Sequence, residues 1–198
     1  MYKFIRDDIP PHLDACWEKL TARFVAAKAK NPKYKFSWYA PFKYDFTLVL
    51  LFEMTQGHCA FCDGGDIGAE SRRTIEHFYP KSEYQDLAYK WDNLYPCCDQ
   101  CQSQKLERFD LVLLAPDHDG YSFEDYFTVN YRTGAIEPSG FANAATQHRA
   151  RITIEHYGLD LEERRKARQK ELKRYHQRDR ETDIKDDFSY RYFLDDMD

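Results

Sequence analysis

Two cysteine knuckles, Cys59-Ala-Phe-Cys62 and Cys98-Asp-Gln-Cys101, stand 35 residues apart and constrain this chain more than any other feature. Each knuckle offers two thiolates to one ion, and four thiolates complete a tetrahedral zinc shell. A full shell leaves no open position, so zinc bound there holds structure and does no chemistry. Such a staple suits the intervening stretch of short, punctuated segments, which could bury little apolar surface alone. Cys97 breaks the spacing to Cys101, so Cys98 is the better ligand. His58 is an alternative ligand, though it reads better as a loop residue, and chance clustering of buried thiols is the competing explanation. Residues 1–8 (MYKFIRDD) lack the apolar run of a secretory signal, and the longest apolar stretch, FTLVLLF at 46–52, is far too short to span a bilayer. The expectation is a cytoplasmic protein without a membrane partner, in which reduced thiols favour a metal over disulfides.

Charge is distributed unevenly. The net is −5, and residues 181–198 alone hold seven Asp/Glu against two Lys/Arg. The remaining 180 residues therefore balance at 27 of each sign. Within them, Arg149 to Arg180 carries eleven Lys/Arg against six acids. That stretch reads either as a basic stripe following a phosphate backbone or as a solvated helix face laced with i,i+4 pairs.

The pattern along the chain predicts an α+β fold. An amphipathic helix is expected over 10–30, with Pro10 and Pro11 in its first turn and Cys16 on its apolar stripe, ended by Asn31-Pro32. A loop rich in Lys and aromatics follows (KYKFSWYAPFKY), then a helix over 45–56 with Asp45 as N-cap and Gly57 as terminator. A strand is expected at 73–78, a helix beginning near Gln102, and a strand pair over 126–136 turning near Thr133-Gly134. Helices follow at about 140–157 and 161–179 with Gly158 between them, and the aromatics of the acidic tail (Phe188, Tyr190, Tyr192, Phe193) suit a docked segment. The regions are 1–57 (helical), 58–115 (zinc core), 116–180 (hairpin and helices) and 181–198 (acidic tail).

Between the knuckles lies the run Thr74-Ile75-Glu76-His77-Phe78-Tyr79-Pro80-Lys81-Ser82, followed by Trp91-Asp92-Asn93-Leu94. A neutral imidazole can take a proton from water at cellular pH, and a neighbouring carboxylate can hold a divalent cation. Successive strand residues point to opposite faces, so Glu76 and His77 need a bend or loop distortion to aim at one point, and Pro80 is compatible with one.

The run CAFCD…TIEHFYPKSEYQDLAYKWDNLYPCCDQCQSQK resembles the zinc-bearing branch of the HNH endonucleases, most strongly over residues 53–106. More narrowly it resembles the HNH component (PtuB) of Septu anti-phage systems, including relatives linked to retrons. The resemblance implies a ββα-metal (His-Me finger) core stapled by the four-cysteine zinc site and flanked by N- and C-terminal helices. It implies His77 as general base, Glu76 as ligand of a catalytic Mg2+ or Mn2+, and Asn93 as the amide that braces the loop and orients His77. The position after the last cysteine is normally Asn or His; here it is Gln102, whose amide oxygen could coordinate the ion from one methylene further away. Lys81 and Ser82 match the family's Pro-Lys-Ser run and could approach a nucleic-acid backbone; Lys105 could contact phosphate or be merely solvated.

The function expected is hydrolysis of phosphodiester bonds in DNA or RNA, tRNA included, as the effector of an anti-phage defence system. The partners implied are a nucleic-acid substrate, an ABC-type ATPase (PtuA-like) and, from the retron-linked relatives, a reverse transcriptase with its RNA–DNA product. One alternative is a zinc-stabilised nucleic-acid-binding or adaptor module with a weakened centre, for which Gln102 is the best argument. Another assigns any ion at Glu76-His77 to structure alone, with Cys97 and His58 in an unusual cluster.

Overall fold

The computed structural model describes residues 1–65, 67–69 and 71–194. The chain opens with a strap. Phe4 is buried, its backbone N–H reaches the Pro116 carbonyl, and Arg6 pairs with Asp117 at 2.6 Å. Proline at the first position starts the short helix α1 (Pro11–Asp14). The single helix expected over 10–30 is in fact two, because Cys16 leaves helical geometry (φ −139, ψ −16) and its thiol turns back onto the His12 carbonyl. Cys16 is therefore half-buried at the edge of the core. Helix α2 (Trp17–Lys30) buries Leu20, Thr21 and Phe24, and it ends at an extended Asn31 before Pro32.

Helix α3 (Tyr44–Glu53) starts one residue earlier than expected and stops three earlier. Its N-cap is Lys43 in the left-handed region (φ 51), without a side-chain cap, so Asp45 lies in the first turn instead. The chain then tightens through Gly57 (φ 84), whose N–H returns to the Phe52 carbonyl.

The centre of the molecule is an antiparallel pair followed directly by a helix. Strand β1 (Arg73–His77) pairs with β2 (Leu94–Cys98) from Arg73↔Cys98 through His77↔Leu94. Pro96 is tolerated because the sheet has two strands, so its missing N–H falls outside the ladder. Its carbonyl still accepts from Ala60 of the first knuckle. Helix α4 (Asp99–Lys105) begins three residues before the expected Gln102, because Cys98 serves as N-cap with its sulfur accepting from the Cys101 N–H. That one contact joins the helix start to the second knuckle.

Beyond it lie α5 (Phe123–Tyr126) and the hairpin β3 (Phe127–Asn130) with β4 (Ala135–Pro138), which turns through Gly134 (φ 74). Helix α6 (Ala144–Tyr157) starts at an Asn143 cap and ends at Gly158 in the left-handed conformation (φ 57). Gly158 thus plays the part its position suggests. Helix α7 (Glu162–His176) follows. The fold is mixed α+β with two small antiparallel sheets. No described helix is long and apolar enough to cross a membrane.

The basic run read as a surface stripe packs partly inward, and the acidic tail docks through its aromatics as their placement suggests. From α7, Arg164 and Arg168 are buried, and Arg168 donates to the Gly134 and Leu159 carbonyls. From the acidic tail, Phe188, Tyr192, Phe193 and Leu194 are buried, so residues 188–194 dock while 181–187 stay largely exposed. Residues 195–198 of that tail lie outside the described residues.

Candidate functional site

The four expected zinc ligands converge. The sulfurs of Cys59, Cys62, Cys98 and Cys101 are all buried and lie within 4.8 Å of one another, with Cys62 and Cys98 at 3.8 Å. A tetrahedral thiolate shell with Zn–S near 2.3 Å places its sulfurs about 3.8 Å apart, so the donor set fits zinc in chemistry and in size. All six cysteines are free. Donors surround the sulfurs as thiolates require. The Gly64 N–H reaches Cys62 at 3.4 Å, the Cys101 N–H reaches Cys98 at 3.4 Å, and Arg164 Nη2 reaches Cys101 at 3.2 Å.

Neither alternative ligand belongs to the cluster. Cys97 points its thiol at the Cys98 carbonyl. The ring nitrogens of His58 are taken by carbonyls, Nδ1 by Thr55 and Gln56 and Nε2 by Phe188.

A cavity of about 320 Å³ opens beside the end of β1, and Glu76, His77, Lys81 and Gln102 line it together with Phe36, Trp38, Ile75, Pro80, Leu106 and Glu107. The ladder of β1 runs unbroken to His77, and the bend expected here comes directly after it, at Phe78 and Tyr79 before Pro80. The chain leaves the strand immediately after His77, and the cavity wraps round that end and meets both side chains.

His77 sits in an aromatic box. The Trp38 ring stacks on it at 5.2 Å and 6°, and Phe36 meets it edge-on at 5.2 Å. Its Nε2 lies 2.9 Å from the Ala88 carbonyl, which can only accept, so Nε2 carries the proton. Nδ1 then holds the lone pair and has no hydrogen-bond partner among the described residues. Burial, with Lys81 nearby, lowers the imidazole to about 3, so the ring is neutral at physiological pH. Asn93 supports this arrangement from behind. Its Oδ1 accepts from the Tyr79 N–H at 2.7 Å, and its Nδ2 donates to the Tyr79 and Leu87 carbonyls. Both ends of the loop that presents Ala88 to His77 are thereby fixed.

Glu76 faces α4. Its Oε1 accepts from Lys105 Nζ at 2.8 Å, and the same ammonium donates to the His77 carbonyl at 2.8 Å. Burial pushes the Glu76 carboxyl above its ordinary range, while Lys105 pulls it back. Lys105 is wholly shielded from solvent, so its place is as the internal counter-ion of Glu76 and not at a surface phosphate. Gln102 donates Nε2 to the Ile75 carbonyl at 3.0 Å, leaving its Oε1 as an acceptor on the cavity wall. Glu76 Oε2 and Gln102 Oε1 are hard oxygen donors, the type Mg2+ or Mn2+ takes alongside water. Lys81 and Ser82 both engage Glu107, Nζ to Oε1 at 2.7 Å and Oγ to Oε2 at 2.9 Å.

Trp38, Arg164 and Glu107 are site residues that the sequence does not flag. Trp38 lies in the aromatic loop, whose composition announces burial but not its partner. Arg164 and Glu107 sit in charged surroundings that look solvated. Comparison with family models and with curated proteins finds no match to this chain.

Proposed function

We propose that the chain is a metal-dependent endonuclease of the HNH type, with β1, β2 and α4 as its ββα unit and the four-cysteine zinc site as its staple. The observation that carries this reading is His77: a neutral imidazole, held by the Ala88 carbonyl at Nε2, with Nδ1 unpartnered among the described residues, lining one cavity with Glu76. Hydrolysis of a phosphodiester needs a base for the attacking water and positive charge for the phosphate. His77 Nδ1 takes the water's proton, and the Ala88 carbonyl steadies the imidazolium that results. An imidazole lowered this far is a weak base in the free protein. Burial is the main cause of that lowering, and negative charge on a phosphate held in the cavity favours the protonated ring and so raises it toward a working range.

Glu76 and Gln102 would hold a Mg2+ or Mn2+ ion, which when bound supplies Lewis-acid stabilisation of the phosphate and leaving oxygen. Lys105 fixes the Glu76 carboxylate from the protein side, and Asn93 holds the Ala88 loop. The resemblance alone carries the wider setting, in which an ABC-type ATPase recruits or activates the nuclease in phage defence. The same resemblance adds a retron RNA–DNA product as the element that would restrain it.

A second reading, a zinc-stabilised binding or adaptor module, draws on Gln102, whose amide nitrogen is committed to the Ile75 carbonyl. One experiment separates the two. His77→Ala and Glu76→Gln proteins that keep their zinc should lose Mg2+- or Mn2+-supported cleavage of DNA and tRNA substrates. Full cleavage or full phage protection by both variants sinks the enzyme.

A further inference from the structure

The stretch Lys105-Leu106-Glu107 leaves α4 across the mouth of the cavity under strain. Leu106 has φ 53 and ψ −131, backbone space that a residue with a Cβ seldom enters, and its side chain is largely exposed. No apolar burial rewards that conformation. What it achieves is placement: Lys105 ends on Glu76, and Glu107 two residues later ends on Lys81 and Ser82. The Glu107 carboxylate presents one oxygen to an ammonium and the other to a hydroxyl. A phosphodiester has two non-bridging oxygens of like charge and spacing, and this donor pair would receive them in the same way. Lys81 and Glu107 both remain partly open to solvent at the cavity mouth, so exchange needs no unfolding. Partial burial raises the Glu107 carboxyl, but Lys81 and Ser82 outweigh it and hold the group below the usual carboxylate range.

We infer that Lys81 and Ser82 are the seat of a substrate phosphodiester and that Glu107 fills this seat as an internal anion. Substrate must therefore displace Glu107 before it can bind. The inference rests on the nuclease reading of the cavity. It adds a gate to it, with Leu106 as a strained hinge that relaxes on opening.

The test is binding without cleavage. Zinc-loaded protein of residues 1–198, with Ca2+ in place of Mg2+, is titrated into 5′-labelled oligodeoxyribonucleotide and oligoribonucleotide of one sequence. Releasing a partly exposed ion pair is expected to tighten binding of Glu107→Gln roughly twofold to fivefold. The gain should vanish when Lys81→Ala is added. It should also be absent from Glu137→Gln, the same charge change on the exposed side of β4. Leu106→Gly removes the strain of the closed arrangement and should weaken binding. No tightening in Glu107→Gln, tightening that survives Lys81→Ala, or no binding of either oligonucleotide overturns the inference. Wild-type protein that binds but never cleaves would sink the nuclease reading and leave the gate standing.

Discussion

The docking of the tail onto the first zinc knuckle turns on one guanidinium, and replacing Arg191 by Met should cost far more than a surface position allows. Arg191 and Asp63 are each 2% exposed and meet at 2.6 Å between Nη2 and Oδ1. Arg191 Nε reaches both Asp63 oxygens at 3.2 Å, Nη1 reaches Asp186 at 2.6 Å and Gln56 Oε1 at 2.9 Å, and Nη2 reaches the Thr55 carbonyl. Asp63 directly follows Cys62 and holds a left-handed backbone (φ 57). With Met at 191, the Asp63 carboxylate keeps the Arg191 backbone N–H but loses its counter-charge in a dry setting.

Removing one partner of a buried pair costs about 3–5 kcal/mol, a large share of the ~5–15 kcal/mol by which domains are stable. Asp63→Asn/Arg191→Met removes the orphaned charge while keeping an acceptor for the backbone N–H. It should be more stable than Arg191→Met alone by about 2 kcal/mol. Urea unfolding of zinc-loaded proteins, followed by circular dichroism, reads both differences. The tail also holds the knuckle through the Tyr190 N–H to the Asp63 carbonyl and the Tyr192 hydroxyl to the Cys62 carbonyl. Zinc competition against a chromophoric chelator should therefore show Arg191→Met binding about tenfold more weakly. A stability loss below about 1 kcal/mol, or a double variant no better than the single, would refute the reasoning.

Three further outcomes follow from the same geometry. Atomic absorption should find one zinc per chain, and Cys98→Ser should lose both the metal and cooperative unfolding, since structural zinc contributes on the order of 10 kcal/mol. Lys105→Met should destabilise by about 3–5 kcal/mol by stranding Glu76, and Glu76→Gln/Lys105→Met should regain most of it in urea titrations. Arg164→Gln removes the donor at Cys101, so zinc affinity should fall by about tenfold in chelator competition while secondary structure is unchanged.

The parts of the molecule legible in the sequence are those whose partners lie nearby or follow a spacing rule. The two knuckles are local patterns with one chemical use, and Gly158 and Asn31-Pro32 end helices through their own backbone preferences. Helix starts set by less familiar caps were not legible. Lys43 enters the left-handed region and Cys98 offers a sulfur, while Asp45 has the more familiar cap signature. The basic run of α7 was harder still. Arg164 and Arg168 look solvated because their partners, the Cys101 sulfur and the Gly134 and Leu159 carbonyls, come from 63, 34 and 9 residues away.

The Glu76-His77 pair shows how far alternation along a strand constrains two neighbouring side chains. It governs directions within a ladder, and both residues do sit in the ladder, with opposite neighbours: Lys105 of α4 for one, and Trp38 with the Ala88 loop for the other. They reach one cavity because the strand ends at His77 and solvent space wraps its tip. That arrangement gives each group its own environment, an ammonium beside the carboxylate and an aromatic box round the imidazole. Burial opposes charge on both adjacent groups, and Lys105 counters it at Glu76 while adding to it at His77, so the pair is driven apart electrostatically.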